Sequence, residues 1–500
     1  MKPLSKSKVI AFRQCRRRLW LEVHRPGLRA DPAATQARFE TGNRVGDVAR
    51  RLYDPRGQGV RVAFRHDDHD AALAQTAALL RSKQPIFEAA FSAAGVTAFA
   101  DILLPHRKGL RAGWRMVEVK SSTRIRDHHL EDVAVQAYAA RASGLKLGTV
   151  ALAHIDSKWT YPGGGDYRGL LVEDDLTADA RALAGEVEKW VAQAAAVAAM
   201  RQEPEVRTGD HCSTPFECGF IAHCRAQEPV VAHPVQWLPR GTGRKLREFI
   251  AAHRVASLDE VPDELLNDAQ RRVKAATLQG REHFDLDGSL RALRGQGPPC
   301  YFLDFETTQF AVPTWPGTRP YQQVAFQFCA YHLSRDGVLE RHDFVDLAGD
   351  DPRRRLAAML AAACGERGPI FAYNAAFEAG VIRDLAEALP PMRTRLLALV
   401  PRLVDLLPIA MEHYYHPSQK GSWSFKEVLP AAIPELSYAK LDGVRDGAAA
   451  SAAYHEAVHP LTLPERKAEI ERQLLRYCGL DTYGMVRLWR KFAGREDIRV

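Results

Sequence analysis

The segment YFLDFETT (301–308) places Asp304 and Glu306 two residues apart, so in a strand both carboxylates leave one face. Two acids side by side repel each other, an arrangement tolerated mainly where cations sit between them. A third acid, Glu378, closes PIFAYNAAFE, and a fourth, Asp481, lies in YCGLDTYG with Tyr477 four residues before it. Residues i and i+4 share a helix face, so the Tyr477 hydroxyl and the Asp481 carboxylate can meet in one site. Four carboxylates on separated elements suit two Mg2+ or Mn2+ ions about 3.5–4 Å apart, the arrangement for in-line attack on a phosphodiester. One ion then activates the attacking water and the other stabilises the leaving 3′ oxygen, while Tyr477 orients that water or helps to deprotonate it.

A second set lies upstream. VTAFADILLP and RMVEVKSS read as two apolar-patterned strands joined by the turn HRKGLRAG. Asp101 and Glu118 on these strands can converge on a divalent cation, and Lys120 shares the face of Glu118 because side chains alternate along a strand. Two carboxylates on Mg2+, beside a lysine that steers a water or steadies a phosphorane, suit phosphodiester hydrolysis. Taken bare, the pattern is weak, since strands with exposed Glu and Lys are common. The following helix, DHHLEDVAVQAYAARASG, adds Gln136 and Tyr138.

A third set is soft. Cys212, Cys218 and Cys224 stand at equal x5 spacing, and Cys15 in QCRRRLW is available as a fourth ligand. A thiolate tetrad fits Zn2+ or an iron–sulfur cluster. The spacing is unlike the short x2 knuckles of zinc ribbons and favours the cluster, while His211 and His223 keep zinc open. Such a site is structural and would join the N-terminal helix to the far end of its domain. Cys300, Cys329, Cys364 and Cys478 are scattered in mostly apolar surroundings and read as buried packing residues.

The order D-x-E, N-x-x-F-[DE], Y-x-x-x-D resembles the DEDD exonucleases of the DnaQ-like group within the RNase H fold, in their tyrosine variant. The resemblance implies Asp304, Glu306, Glu378 and Asp481 as metal ligands with Tyr477 beside them. Glu378 stands where those enzymes usually carry Asp. Residues 1–230 resemble the PD-(D/E)xK nucleases of the RecB type, with a restriction-endonuclease-like fold. This implies Asp101 and Glu118 as metal ligands, Lys120 as the catalytic lysine and Gln136 as a helix residue near the nucleic acid. Those nucleases usually carry a further upstream His or Glu. The matching helix, FETGNRVGDVARRL, has no His, which leaves Glu40 and Glu88 as candidates. One Cys before the nuclease core and three after it is the layout of iron–sulfur RecB-family nucleases, implying a [4Fe–4S] cluster on Cys15, Cys212, Cys218 and Cys224. Their last three cysteines are usually spaced x2 then x5, so this chain departs at the first gap. Together LDFETT, YNAAFE, GSWSFKEVLP and YCGLDTYGMV resemble a bacterial family of uncharacterised proteins in which such an exonuclease domain follows a RecB-like nuclease.

These residues need an α/β frame. The expected domains are a restriction-endonuclease-like unit with helical parts over 1–230, a helical connector over 231–295, and an RNase H-like unit over 296–500, entered after the breaker cluster RGQGPP. A helix carrying Cys15 opens the first unit, a helix follows near 71–80, and short strands run from 87 to 120. The strands CYFLDFET and QQVAFQFCAYHL open the last unit, with helices and strands alternating to the C-terminus. Asn374 and Phe377 could position a terminal nucleotide or simply pack beside Glu378. Lys420, Trp423 and Lys426 offer a cation-plus-aromatic surface for single-stranded nucleic acid, with core packing as the alternative for Trp423. His413 and His416 read as surface residues.

With 46% apolar and 26% charged residues, the composition of the 500-residue chain excludes wholesale disorder and a disulfide-dense miniprotein. No stretch approaches the roughly 20 apolar residues of a membrane span, and the first residues lack the apolar core of a signal peptide, so a cytoplasmic protein is expected. No G-x-x-x-x-G-K-[ST] occurs, so nothing points to an ATP motor. The net charge is +8, and residues 1–50 alone carry twelve basic and four acidic side chains. The run Arg13, Arg16, Arg17, Arg18 suits a polyanion-binding surface, or else a solvated Arg-rich face. The expected activity is metal-dependent degradation of DNA with free ends or single strands, in repair or defence, with a helicase or another component of such a system as a partner. The alternatives are a nucleic-acid-binding scaffold with one or both sites inactive, and RNA processing by the same chemistry.

Overall fold

The computed structural model describes residues 3–31, 33–63, 69–108, 111–239, 243–495 and 498. It is a mixed α/β chain with open sheets. Two compact units divide it: 1–229 together with 310–322, and 230–309 together with 323–500. No helix among the described residues is long and apolar enough to cross a membrane.

In the first unit the strands are β1 (Leu4–Ser5), β2 (Val60–Arg61), β3 (Ile86–Ala93), β4 (Val96–Lys108), β5 (Arg111–Val119), β6 (Leu147–Ile155) and β7 (Leu171–Asp175). The helices are α1 (Lys6–Gln14), α2 (Arg16–His24), α3 (Ala33–Tyr53), α4 (His69–Leu79), α5 (Asp127–Ala142), α6 (Thr177–Ala182), α7 (Ala184–Ala198) and α8 (Ile221–Arg225). Strands β2 to β7 lie in chain order across the sheet. β3, β4 and β5 form an antiparallel meander, and β6 returns parallel to β5. β5 pairs with β4 only from Ile102 onward, so the opposite end of β4 is open and takes β1 through Leu4↔Val96 and Ser5↔Thr97. The strands are longer than the short ones expected, and residues 109–110 of the expected turn lie outside the described residues.

Helix α5 crosses from β5 to β6 and packs on β3, β4 and β6. Val133, Ala134, Ala137 and Ala140 are fully buried, and their small side chains let the helix axis come close to the sheet. Cys15 does not lie within a helix as expected. It sits between α1 and α2 in extended conformation (φ −162°), so the chain turns there. Residues 310–322 belong to this unit, where Ala311 and Val312 pack with Val45, Ile155 and Leu170.

The second unit contains β8 (His283–Phe284), β9 (Cys300–Thr308), β10 (Val324–Leu333), β11 (Leu339–Val345), β12 (Ile370–Ala372), β13 (Leu403–Asp405) and β14 (Tyr414–Tyr415). Its helices are α9 (Arg244–His253), α10 (Asp268–Gln279), α11 (Leu286–Ala292), α12 (Arg353–Ala363), α13 (Ala375–Ala388), α14 (Arg393–Leu397), α15 (Leu406–His413), α16 (Phe425–Ala432), α17 (Gly447–Ala457) and α18 (Pro464–Phe492). The main sheet has the order β11-β10-β9-β12-β13, antiparallel across the first three strands and parallel across the last three. β9 is therefore central, buried on both faces by CYFLDFETT. The segment expected as a connector packs with this unit, and its β8 pairs with β14. The expected alternation of strands and helices stops early, because past Tyr415 the described residues form helices and turns. The last helix, α18, buries Ile470, Leu474, Tyr477, Asp481, Leu488 and Phe492 along one stripe, packed on β9 and β10.

Candidate functional site

In the first unit Asp101 comes from β4, Glu118 from β5, and Lys120 from the residue just past β5. The register pairs Ile102 with Val117, so one step further Asp101 faces Glu118. Asp101 Oδ2 accepts from the Val119 backbone N–H at 2.7 Å. Glu118 is buried, and its two oxygens have different partners. Oε1 accepts from Lys120 Nζ at 2.6 Å, and Oε2 accepts from Gln136 Nε2 at 2.6 Å. Gln136 lies on α5, is 1% exposed and also donates to the Phe99 carbonyl. It orients Glu118 from behind, with its own side chain buried. Tyr138 packs against the core.

Two residues missed in the sequence complete this group. Asp132, on α5, accepts from Lys120 Nζ at 2.5 Å. Lys6, on α1, donates to Glu118 Oε1 at 3.2 Å and to Asp132 at 3.1 Å. Burial alone would lower the Lys120 pKa, but Asp132, Glu118 and Asp101 outweigh it and hold the ammonium well above its ordinary range. Asp132 shows the converse: burial would raise it, and Lys120 and Lys6 pull it far below. Asp101 is raised by burial and by Glu118.

Of the two upstream candidates, Glu40 is exposed on α3. Glu88 lies on β3 between the pairs Phe87↔Ile102 and Ala89↔Ala100, level with Asp101, so the register lines up Glu88, Asp101 and Glu118 across three strands. Its backbone is left-handed (φ 57°), a strained conformation for a glutamate that concentrates at functional sites. Burial raises its pKa, against the pull of Arg61 and Arg50.

Cys15, Cys212, Cys218 and Cys224 line one small cavity at the α1–α2 turn together with Arg17 and Arg18, and none is in a disulfide. Burial pushes Cys224 up to about 11 against the pull of Arg17, and raises Cys218 as well. The donor set is that of a thiophilic group. Among the described residues, no three of these sulfurs lie within 4.8 Å of one another. A single tetrahedral zinc about 2.3 Å from each sulfur would draw them to about 4 Å apart, whereas a cubane holds its thiolates wider. His223 is turned to Glu203 and Gln227, and His211 lies 3.6 Å from Cys212 Sγ.

The arginines of the expected polyanion surface make contacts within the unit, while Arg13 and Arg16 remain exposed. Arg13 pairs with Glu131, Arg16 donates to the Glu205 carbonyl, and Arg18 pairs with Glu22. Arg17 is 6% exposed and binds Glu203, Gln227 and the Val206 carbonyl. These guanidinium groups brace the two ends of the unit internally.

In the second unit Asp304 and Glu306 leave the same face of β9, against α18. Asp481 and Tyr477 are buried on α18, and the Tyr477 hydroxyl bonds the Asp481 carboxylate. Tyr438, missed in the sequence, also donates its hydroxyl to Asp481 Oδ1. Glu378 arrives from the other side. Asn374 adopts the left-handed conformation (φ 72°) that asparagine tolerates, letting β12 turn directly into α13, and Glu378 follows one turn later. Asn374 is exposed and Phe377 packs into the core beneath.

The charge balance here is severe. Burial raises Asp304 well above its ordinary range, and Asp481, Glu306 and Glu378 add to the shift. Glu306 is pushed up to about 8 by burial and Asp481, with Lys426 opposing. Burial takes Glu378 to about 8 and Asp481 to about 6, the latter eased by Tyr438 and Tyr477. Glu378 Oε2 is buried and has no hydrogen-bond partner in this arrangement. An unsatisfied buried carboxylate oxygen is costly, so its presence within electrostatic reach of Asp304 and Asp405 fits a cation site. Burial and the acids raise both phenols far above their ordinary value, so in this arrangement both are protonated and donate to Asp481.

Cys478, expected as plain packing, donates its thiol to Asp304 Oδ2 at 3.7 Å, and Asp304, Glu306 and Cys478 offer ligand atoms within 4.8 Å of one another. Cys300, Cys329 and Cys364 are buried. Lys426 lies 5.4 Å from the Tyr477 ring and 5.9 Å from the Tyr438 ring, at the acids and not on an open surface. Trp423 is in the core, its indole N–H donated to the Tyr414 carbonyl, while Lys420 is exposed. His413 is buried and bonds Asp285 at 3.0 Å, which corrects its reading as a surface residue, and His416 caps a short turn.

A family model described as a domain of unknown function (DUF2779) matches residues 301–424, a span that includes Asp304, Glu306 and Glu378. No curated protein matches the sequence significantly.

Proposed function

We propose that this chain is a metal-dependent nuclease with two phosphodiesterase sites, the second of them a 3′–5′ exonuclease acting on DNA in repair or defence. The observation that carries the reading is the Asp304–Glu306–Glu378–Asp481 group, in which Asp304 and Glu306 offer ligand atoms within 4.8 Å of each other, Asp481 and Glu378 raise the Asp304 carboxyl, and the buried Glu378 Oε2 lacks a partner. The sheet order β11-β10-β9-β12-β13, with both Asp304 and Glu306 on its central strand, supports an RNase H-like architecture. The β3–β4–β5 meander followed by α5 and parallel β6 supports a restriction-endonuclease-like one.

Divalent cations bound among these carboxylates supply Lewis-acid stabilisation and an activated water. The chain does the rest. Tyr477 and Tyr438 fix Asp481 by hydrogen bonding, Cys478 fixes Asp304, and Lys426 places a positive charge where a phosphate would enter. In the first unit Glu88, Asp101 and Glu118 are the ligand candidates, Gln136 orients Glu118, and Lys120 faces the reacting phosphate. The four cysteines hold an iron–sulfur cluster in preference to zinc, clamping the α1–α2 turn to residues 212–224.

One observation favours a second reading for the first unit. The Glu118 and Asp132 carboxylates are already matched by two lysines, so that unit could serve as a nucleic-acid-binding scaffold. Digestion of 3′-end-labelled single-stranded DNA, with an RNA control, in Mg2+ and Mn2+ tests the main reading. Wild type should release mononucleotides, and Asp304→Ala should lower the rate by about 10³-fold, the scale of losing a charge-stabilising group. An unchanged rate in Asp304→Ala would remove the exonuclease assignment.

A further inference from the structure

Lys6 lies 112 residues from Glu118 in the chain, yet its ammonium sits among the carboxylates of the first unit. Its Nζ is 3.2 Å from Glu118 Oε1 and 3.0 Å from Asp132 Oδ1, while Lys120 Nζ is 2.6 Å and 2.5 Å from the same two groups. Two ammonium groups thus alternate with two carboxylates. The Lys6 side chain is only 21% exposed, and a lysine held this far from water needs its charge matched. Burial would lower its pKa, and Asp132 and Glu118 together more than reverse that.

The element that delivers Lys6 is fixed at both ends. In front of it, β1 pairs with β4, and the Ser5 hydroxyl accepts from the Lys8 N–H to cap α1. Behind it, α1 ends at Cys15, and Gln14 donates to the carbonyls of His211 and Phe216. Val9 and Ala11 bury the intervening face. A surface cation needs no such mounting.

We propose that Lys6 is a second lysine of the first site, a positioning residue that holds Glu118 and Asp132 in register with Lys120. The proposal rests on the nuclease reading of that unit. In this arrangement Lys120 shares its carboxylate partners and keeps its ammonium directed at the phosphate, and Lys6 contributes positive charge where a divalent cation approaches Glu118.

The test uses the full chain in an Asp304→Asn background, so that only cleavage from the first unit is read. Lys6→Met, Lys6→Arg and Lys120→Met are compared in Mn2+, with thermal unfolding followed in parallel. Lys6→Met should lower kcat by about 10–100-fold, the usual cost of removing a group that orients a metal-binding carboxylate, with KM little changed. Lys6→Arg should recover part of the loss. Because an ammonium competes electrostatically with a cation, Lys6→Met should also reach half-maximal activity at a several-fold lower Mn2+ concentration, which a merely structural role would not produce. Wild-type kcat in Lys6→Met, with Lys120→Met inactive, would overturn the inference and leave the nuclease reading standing. Full activity in Lys120→Met would overturn that reading and this inference with it.

Discussion

The two acid clusters solve the same electrostatic problem in opposite ways. In the first unit Glu118 and Asp132 are met by Lys6 and Lys120, and Gln136 takes the remaining Glu118 oxygen. In the second, Asp304, Glu306, Asp481 and Glu378 act on one another electrostatically, Lys426 faces Glu306 and Asp481, and the acids are pushed toward their protonated forms. The first group carries two matching lysines, and the second, on the proposed reading, takes its positive charge from bound cations. Burying charge is tolerated when it is paired, so on that reading the second site should depend on divalent ions for its stability as well as for its chemistry.

The largest effect should separate the two clusters by activity. Asp304→Ala and Lys120→Ala should each abolish a different cleavage of end-labelled DNA, by about 10³-fold in each case. Loss of both activities in either single variant would erase the distinction.

The next effect concerns stability and pH. Glu306 and Glu378 titrate near about 8 and Asp481 near about 6, all above their ordinary values, so the folded chain keeps protons that the unfolded chain releases. Without divalent ions, the stability from these protons is fully present below the ordinary carboxylate range of about 4 and is lost as pH rises through 6 to 8. Unfolding temperatures followed from pH 5 to pH 8 in chelator should fall, and Mn2+ should restore them. Asp101 and Glu88 of the first unit are shifted the same way, so part of the fall should remain in Asp304→Asn/Glu378→Gln, and a fall of equal size there would contradict a contribution from the second unit.

Smaller effects sharpen each side. Arg17→Met should destabilise the cysteine end by about 1–3 kcal/mol, since it removes the hydrogen bonds to Glu203, Gln227 and the Val206 carbonyl while His223 still pairs with Glu203. Denaturant unfolding of the anaerobic protein measures it. Tyr438→Phe should reduce exonuclease kcat by about tenfold by freeing Asp481, and Tyr477→Phe by more. Equal rates in Tyr438→Phe and wild type would show that Tyr477 alone fixes Asp481.

Much of this was readable along the chain where chemistry follows a local period. The i, i+2 acids of β9, the i, i+4 pair Tyr477 and Asp481, and the E-x-K strand each announce themselves because strand and helix periods place both members on one face. What escaped lies across elements. Lys6 and Tyr438 reach their sites from separate segments with no spacing to mark them, Asp132 shows only as a residue four before Gln136 on α5, and Lys426 reads as part of an open surface until Tyr477 and the acids are brought to it. The internal contacts of the arginine run escaped for a related reason: its partners Glu131, Glu203 and Gln227 lie more than a hundred residues away. His413 reads as solvated until Asp285 is brought to it. The helical end of the second unit was obscured because its apolar segments are short and α18 declares its stripe only over its full 29 residues.

The most direct measurement counts bound manganese on the full chain at neutral pH, by the loss of free Mn2+ resonance signal, in wild type, Asp304→Asn and Lys120→Met. Two ions held by the four acids of the second unit should disappear in Asp304→Asn and persist in Lys120→Met. Identical manganese binding in wild type and Asp304→Asn would contradict the account of the second cluster as a cation-completed site.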